Sequence, residues 1–576
     1  MKKLKKQVHL DTNNLIEKYY GKECCHLDYP TNMIYELLFE NSINHPNYVA
    51  YEYFGHKVTY RNFIKQIQEC AKALKAIGVK EGEVITICTP NMPEAIIMFY
   101  AINMVGGISN IIHPLSAENE ILNYLTVSNT TRILVVDVVI ERIMHIIEQT
   151  KVDSIICVSP GNGMNPSKRL MHWILKGRKT KVPLSDQIMT WNEFLEHRNT
   201  FHDNYICRRK KDDPALILYS GGTTGKSKGI VLSNYNFNCL ATQARVIAQP
   251  NNPGDTILCI LPIFHGFGLG VCMHTTLCIG MHCVLLPTFS FKEFKKLIEK
   301  HKPNFIVGVP TLFENMTNAK QYRRINFKFV KNVISGGDTM APEMKRRIDN
   351  FLKERGSSAK VRVGYGLTEC SSAICLTIED EMRDHAIGIP FPDMEIKIVN
   401  PDTMEELPNG ENGEIIISGP TVMLEFLNEP EETEKIFWYD KHSTKWLHTG
   451  DIGYKDQDGM LFFTSRLKRM IVSSGYNIYP NVIEDILNKS PYVESSVVIG
   501  VPHPYKVQVA KAFIIPKVGV KPNNETLKEI KELLAKNIAK YSLPYEYEFR
   551  ESFPKTKIGK IDFKALEEEE SRKRKK

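Results

Sequence analysis

YSGGTTGKSKG, residues 219–229, decides how the rest of the chain is read. Its eleven residues hold four glycines, two threonines, two serines and two lysines. Glycines let successive backbone N–H groups point inward as an anion nest. Thr223 and Thr224 add hydroxyl donors and a lysine adds charge, so the stretch reads as a phosphate loop and not as a plain surface turn. Gly225, Lys226 and Ser227 look like the end of a P-loop. A P-loop, however, needs G-x-x-x-x-G-K-[ST] with a helix starting at once. Counting back, the first glycine falls on Ser220. The next residues, KGIVL (228–232), form a short β run before Ser233 and Asn234 offer a helix cap. The loop therefore joins two extended segments, 216–219 and 230–232, which argues against a P-loop motor or GTPase.

Working outward, apolar strand-like runs alternate with helical patterns: VITICTP (84–90), TRILVVD (131–137), DSIICVS (153–159), NFIVGVP (304–310) and KNVISGG (331–337), with helices expected over 60–77 and 291–301. That rhythm predicts an α/β fold with parallel sheets and helices on their faces. Residues 161–183 are Lys/Arg-rich and weakly patterned, a surface insertion. Its MHWILKG core (171–177) reads as a surface helix, with membrane contact as the alternative. Near Gly450 the texture changes: 451–466 reads as a β-hairpin turning at 456–459, and a compact α+β segment comes after it. The tail EEEESRKRKK reads as a solvated helix end or a disordered one.

The bulk numbers bound the answer. A chain of 576 residues is too long for one core. Hydrophobic residues at 43% and charged residues at 24% are ordinary for a globular protein, and a net charge of +8 suits anionic small ligands but is too diffuse for nucleic acid. Thirteen cysteines with no CxxC pair read as reduced thiols in the cytoplasm. Cys272, His274, Cys278, His282 and Cys283 match no zinc template and read as small buried side chains. The basic start lacks the apolar stretch of a signal peptide, and 268–287, broken by histidines and threonines, reads as a buried helix and strand.

The loop resembles that of the adenylate-forming superfamily of acyl-CoA synthetases, firefly luciferases and peptide-synthetase adenylation domains, usually Y-T-S-G-T-T-G-x-P-K-G. Thr223, Thr224, Gly225, Lys228 and Gly229 match, while Gly221 and Ser227 depart from the pattern. Further motifs occur in the family's order over roughly residues 30–565. The resemblance implies that Ser220, Gly221, Gly222, Thr224, Gly225 and Lys228 hold phosphate beside Thr223, and that Gly336 and Gly337 of GGD (336–338) face adenine. In GYGLTE (364–369), Tyr365 would stack on the base with Gly366 beside it, Thr368 would reach the α-phosphate, and Glu369 would hold Mg²⁺. Asp451 of TGD (449–451) would bind the ribose hydroxyls together with Arg466. SRLKRMI (465–471) resembles the hinge motif, with Lys468 the hinge; Ser465 and Arg469 depart from it. Ser474, Gly475 and Tyr476 would face coenzyme A, and PKTKIGKID (554–562) makes Lys560 the catalytic lysine.

The implied organisation is a large adenylate-forming domain over 1–466, with parallel αβαβα-type sheets plus a small β-barrel-like part, and a small mobile α+β domain over 467–576. The implied chemistry has two steps. A carboxylate attacks the α-phosphate of ATP to give an acyl-AMP, with Lys560 between the two anions and Mg²⁺ on Glu369 carrying the pyrophosphate charge. A thiol, coenzyme A, then takes the acyl group after the small domain swings about Lys468. LPIFHGFGL (261–269) resembles the acyl-pocket motif, with His265 near the carboxylate; 264–267 offers no aspartate for a substrate ammonium, and small neighbours leave room for a hydrocarbon. GVPTLFENM (308–316) resembles fatty-acyl members. The expected substrate is a medium- or long-chain fatty acid, with ATP, Mg²⁺ and coenzyme A. The alternatives are an aryl or bile-type acid, transfer to a carrier protein, or an inactive nucleotide-binding scaffold. A monomer or homodimer in the cytoplasm, with peripheral contact at the inner membrane face, is expected.

Overall fold

The computed structural model describes residues 12–175, 182–183, 185–220, 227–318, 320–379, 381, 383–473, 476–503, 507–538, 542–555 and 561–575. The chain divides into two compact units: Met1–Ile396 with Ile417–Leu447, and Lys397–Ile416 with His448–Lys576.

The expected α/β alternation is present in the first unit. The apolar runs become the strands Val84–Cys88, Arg132–Val136, Ser154–Val158, Phe305–Gly308 and Asn332–Ser335, and the helices Tyr60–Ala76 and Phe291–His301 fall where the periodicity put them. One sheet orders Glu425–Phe426, Lys228–Ser233, Pro214–Ser220, Ile108–Ile111, Val84–Cys88, Arg132–Val136, Ser154–Val158 and Ile188–Thr190. From Pro214–Ser220 onward its strands run parallel. A second sheet sets Val361–Tyr365, Asn332–Ser335, Phe305–Gly308, Thr256–Cys259, His282–Leu285 and Val49–Tyr53 side by side, again parallel. Strands covered on both faces need continuous apolar runs. The amphipathic helices Phe291–His301 and Pro342–Lys353 supply Phe294, Ile298, Phe351 and Leu352 to a core with Phe313 and Tyr322.

Helix Pro93–Met104 is buried on every side. That burial takes Glu94 with it, and no donor reaches its Oε2. Desolvation pushes the Glu94 carboxyl up to about 7, against a backbone hydrogen bond and the charge of Arg169. Folding thus raises this pKa. The stability it contributes is complete below the ordinary carboxylate range and is lost as pH rises through about 7. The loss amounts to about 3 kcal/mol. Glu94→Gln removes this dependence: wild-type Tm, tracked by calorimetry, falls relative to the variant between mildly acidic and mildly basic pH. Parallel Tm profiles for the two proteins would overturn this.

In the second unit the expected hairpin forms between Lys445–Lys455 and Leu461–Arg466. Its turn is closed by the Asp456 carboxylate, which accepts from the N–H groups of Asp458 (3.0 Å) and Met460 (2.9 Å). The anticipated barrel-like part does not close among the described strands, which stay in an open sheet; closure requires every edge strand to find a partner. A separate sheet of Tyr476–Ile478, Ile471–Ser473, Val507–Pro516, Val493–His503 and Glu546–Phe549 packs against helices Pro480–Asn488 and Asn524–Asn537 through Ile471, Ile483, Leu487, Val498, Ile530 and Leu534. The acidic-basic tail continues the helix Phe563–Lys575.

Candidate active site

The opening stretch sits at the end of an antiparallel pair. Strand Pro214–Ser220 pairs with Lys228–Ser233, so that Ser220 lies opposite Lys228. The Ser233 hydroxyl then caps helix Asn234–Ile247 by accepting from the Asn236 N–H at 3.1 Å. The strand–loop–strand reading is therefore present in the backbone. The base of the loop is held by Tyr124, whose ring lies 4.2 Å from that of Tyr219 and whose hydroxyl donates to Ser227 at 3.3 Å. Gly221, Gly222, Thr223, Thr224 and Gly225 lie outside the described residues. Lys228 is ion-paired with Glu432 and holds that carboxyl down at about 2, while its ammonium sits 4.7 Å from the centre of the Phe426 ring.

Three further pieces meet at the C-terminal ends of the parallel strands, where open α/β sheets place their ligands. The first is Gly336-Gly337, directly after strand Asn332–Ser335. Gly337 has φ +77, and a side chain at Gly336 would meet the Phe267 ring at 3.2 Å and the Gly364 carbonyl at 3.3 Å. The second is the turn after strand Val361–Tyr365. Tyr365, Gly366 and Thr368 are half-buried here, and the Ser220 hydroxyl donates to Glu369 Oε1 at 3.3 Å. The turn is fixed by Ser371 and Ser372, with φ of 60 and 129. A Cβ on Gly366 would lie 1.6 Å from the Ser372 carbonyl oxygen. The third is the π-helix Phe267–Thr275, a distortion frequent at functional sites. Gly268 lets it pack on Pro262, since a side chain there would lie 2.1 Å from the Pro262 carbonyl oxygen. His265, exposed just before it, lies beside Gly266, which faces Ser372 at 3.4 Å from a built Cβ. Ser220, Glu369, Gly336, Gly366 and His265 are thus carried by abutting segments of one unit.

Sequence reading missed Asn91. Its amide donates to the carbonyls of Cys259 and Leu261, both at 2.9 Å, and accepts from the Ile263 N–H at 2.9 Å. This buried residue braces the segment leading to His265. Its only sequence signal is a polar residue just ahead of a largely apolar helix. His274 is buried, with Tyr100 Oη at 3.0 Å and Asn238 Oδ1 at 3.3 Å, and desolvation pulls its pKa down to about 3.

In the second unit Asp451 is buried opposite Arg466, whose Nη1 lies 2.7 Å from Asp451 Oδ1. The TGD turn is braced by Glu414, a second residue the sequence did not reveal. Glu414 accepts from the Gly450 N–H at 3.0 Å and lies 2.9 Å from His448 Nδ1. The backbone of Lys468 lies in the 3₁₀ turn Leu467–Arg469. Arg469 points into the unit's interior, donating to Asn481 (2.7 Å), Glu484 (2.6 Å) and the Val498 carbonyl (3.2 Å), with the Phe563 ring centre 3.7 Å away. Its departure from the acidic pattern therefore has a structural partner: Glu484, half-buried, carries a carboxyl raised by desolvation against the pull of Arg469. Tyr476 pairs with Ser473 in a short hairpin, while Ser474, Gly475 and Lys560 lie outside the described residues.

Residues 38–427 match the AMP-binding enzyme family. The chain belongs to that family. The C-terminal domain of AMP-binding enzymes matches residues 482–560. A long-chain-fatty-acid–CoA ligase of Bacillus subtilis (strain 168) is 29% identical over 549 residues, covering 95% of this chain and 96% of that protein. 4-Coumarate–CoA ligase CCL1 of Humulus lupulus is 27% identical over 522 residues, 89% of each chain. Among solved structures, ATP-bound MatB from Rhodopseudomonas palustris has the same fold, with a TM-score of 0.80 at 23% identity over 94% of this chain and 99% of that one.

For this AMP-binding enzyme a magnesium ion fits the residues present. No cluster of three or more His, Cys, Asp or Glu able to hold a metal occurs among the described residues. Glu369, whose carboxylate accepts from the Ser220 hydroxyl, suits a hard cation whose other ligands are phosphate oxygens and water. When bound, the ion neutralises phosphate charge.

Proposed function

We propose that the chain joins a fatty acid of medium or long chain to AMP and then to coenzyme A, an acid–thiol ligation driven by ATP. The observation that carries this reading is the meeting of Ser220, Glu369 and the Gly366–Ser372 turn at the strand ends, in an AMP-binding enzyme. Both partners of the first step are anions, so the work is neutralisation and alignment, and no general base is needed. The glycine-rich loop with Thr223, Thr224 and Lys228 takes the β- and γ-phosphates. Tyr365 and the Gly336-Gly337 backbone take adenine, Thr368 the α-phosphate, and Asp451 with Arg466 the ribose. Lys560 sits between carboxylate and α-phosphate.

The second step brings coenzyme A along Ser474, Gly475 and Tyr476 after rotation about Lys468, at the boundary between domains 1–466 and 467–576. The anchoring of Arg469 on Asn481, Glu484 and Val498 supports this, because residues beyond Lys468 then move as part of that unit. Peripheral membrane contact belongs to the same reading; among the described residues no helix is long and apolar enough to cross a bilayer.

A fatty substrate is supported by the likeness to the Bacillus subtilis ligase and by the absence of any acidic residue in 264–267. Pyrophosphate release from a series of saturated acids, with ATP, magnesium and coenzyme A, tests it. Each added methylene raises kcat/KM about fourfold until the pocket is filled, the equivalent of about 0.8 kcal/mol per buried CH₂. A flat profile, or a preference for 4-coumarate or benzoate, would reassign the substrate to an aryl acid.

A further inference from the structure

Helix Pro166–Leu175 lies in the basic insertion and turns its apolar side outward. Leu170, Met171, Trp173 and Ile174 are 58, 56, 50 and 51% exposed. At 100° per residue these four positions share one face. Contiguous exposed apolar surface marks an interaction site. The opposite side is tied down: the Lys168 ammonium donates to the Phe54 carbonyl, and His172 lies against Gly161. Phe54, itself exposed, sits in the turn that receives Lys168. A Cβ built on Gly55 would be 3.0 Å from the Lys168 ammonium, while the Lys300 ammonium nearby is ion-paired with Glu52 at 3.1 Å. The sequence from 161 to 183 contains Lys168, Arg169, Lys176, Arg178, Lys179 and Lys181 and no Asp or Glu.

We infer that helix Pro166–Leu175 docks this enzyme on the surface of a bilayer containing anionic phospholipid. Its Trp, Leu and Ile would enter the headgroup boundary, with Arg169 on the flank and the run of cations that follows in the sequence favouring an anionic surface. A short helix with an aromatic-aliphatic face and a basic flank lies in the interfacial plane, and Lys or Arg near an anionic leaflet strengthens its attachment. A second copy of the chain fits less well, because a twofold contact through this helix would set like charges against each other. The inference rests on the fatty-acid reading only for its purpose, since such a substrate partitions into lipid.

Flotation of the full chain with phosphatidylcholine vesicles, with and without phosphatidylglycerol, tests it without ATP, coenzyme A or acid. Binding is expected on the anionic vesicles, weakened by high salt, with a blue shift in tryptophan emission. The double variant Leu170→Ser, Ile174→Ser should lose about tenfold or more of vesicle affinity and keep its pyrophosphate release with a short soluble acid. Three results would each overturn the inference: no binding to anionic vesicles, binding untouched by the double variant, or a dimer in vesicle-free solution that the double variant dissolves. A chain that binds vesicles but makes no AMP from any acid would instead sink the proposed function and leave the docking surface standing.

Discussion

Lys560→Ala lowers acyl-adenylate formation about a thousandfold and leaves thioester formation from supplied acyl-adenylate within about twofold of wild type. The asymmetry comes from the charges. In the first step a carboxylate must approach a phosphate that is itself anionic, and one preorganised cation removed from such a site forfeits roughly 3–4 kcal/mol of barrier lowering. In the second step the carbonyl is already activated by AMP and the attacking group is a thiol, so no cation is required between two anions. Single-turnover assays of each half-reaction, with radiolabelled ATP for the first and purified acyl-adenylate for the second, separate the effects. Equal loss in both steps would assign Lys560 to general folding or binding; no loss in either would remove it from the site.

Gly366→Ala is the second large effect, and it acts through backbone. The added methyl would lie 1.6 Å from the Ser372 carbonyl oxygen, 2.5 Å from its carbonyl carbon and 2.7 Å from Ala373 Cα. None of these is the end of a flexible side chain, and Ser371 and Ser372 already occupy positive φ, so the turn has little freedom to yield. The expected loss is about 3 kcal/mol of stability, seen as a lowered Tm. Adenylation should fall about a hundredfold, since Tyr365, Thr368 and Glu369 shift with the turn. Gly364→Ala is the matched control: its nearest neighbour is Leu376 Cδ1 at 3.6 Å, ordinary contact, and its φ is not in the left-handed region. That variant should keep wild-type Tm. If the two alanine variants behave alike, the close approach of the Ser372 backbone has no energetic weight.

These two residues also mark what could be read in advance. Strands such as Val84–Cys88 and Asn332–Ser335 were legible because a strand covered on both faces carries a mostly apolar run. The hairpin turning at 456–459 was legible because Asp and Gly dictate turns locally. The two extended segments on either side of the 219–229 loop were legible from the β run that precedes the cap at Ser233, whereas their antiparallel pairing was not. Other features were closed to sequence because they exist only by juxtaposition. The Ser371–Ser372 turn uses serine where glycine would have signalled positive φ. Asn91 serves a segment some 170 positions away. Glu414 reaches the TGD turn across 36 positions. Arg469 looked like a lapse from a motif until its acidic partner, Glu484, was found folded against it.

The pairing of Lys228 with Glu432 bears on how the enzyme meets its nucleotide. The rim of the glycine-rich loop is not a bare cation awaiting any passing anion, because a carboxylate from helix Pro430–Ile436 already occupies it. On the role proposed for Lys228, a triphosphate arriving at this lysine must evict an internal rival. Chloride or inorganic phosphate, with fewer simultaneous bonds to offer, wins that exchange less readily than a chelated polyanion does. Selectivity at the entrance is thus written into a competition the protein holds with itself.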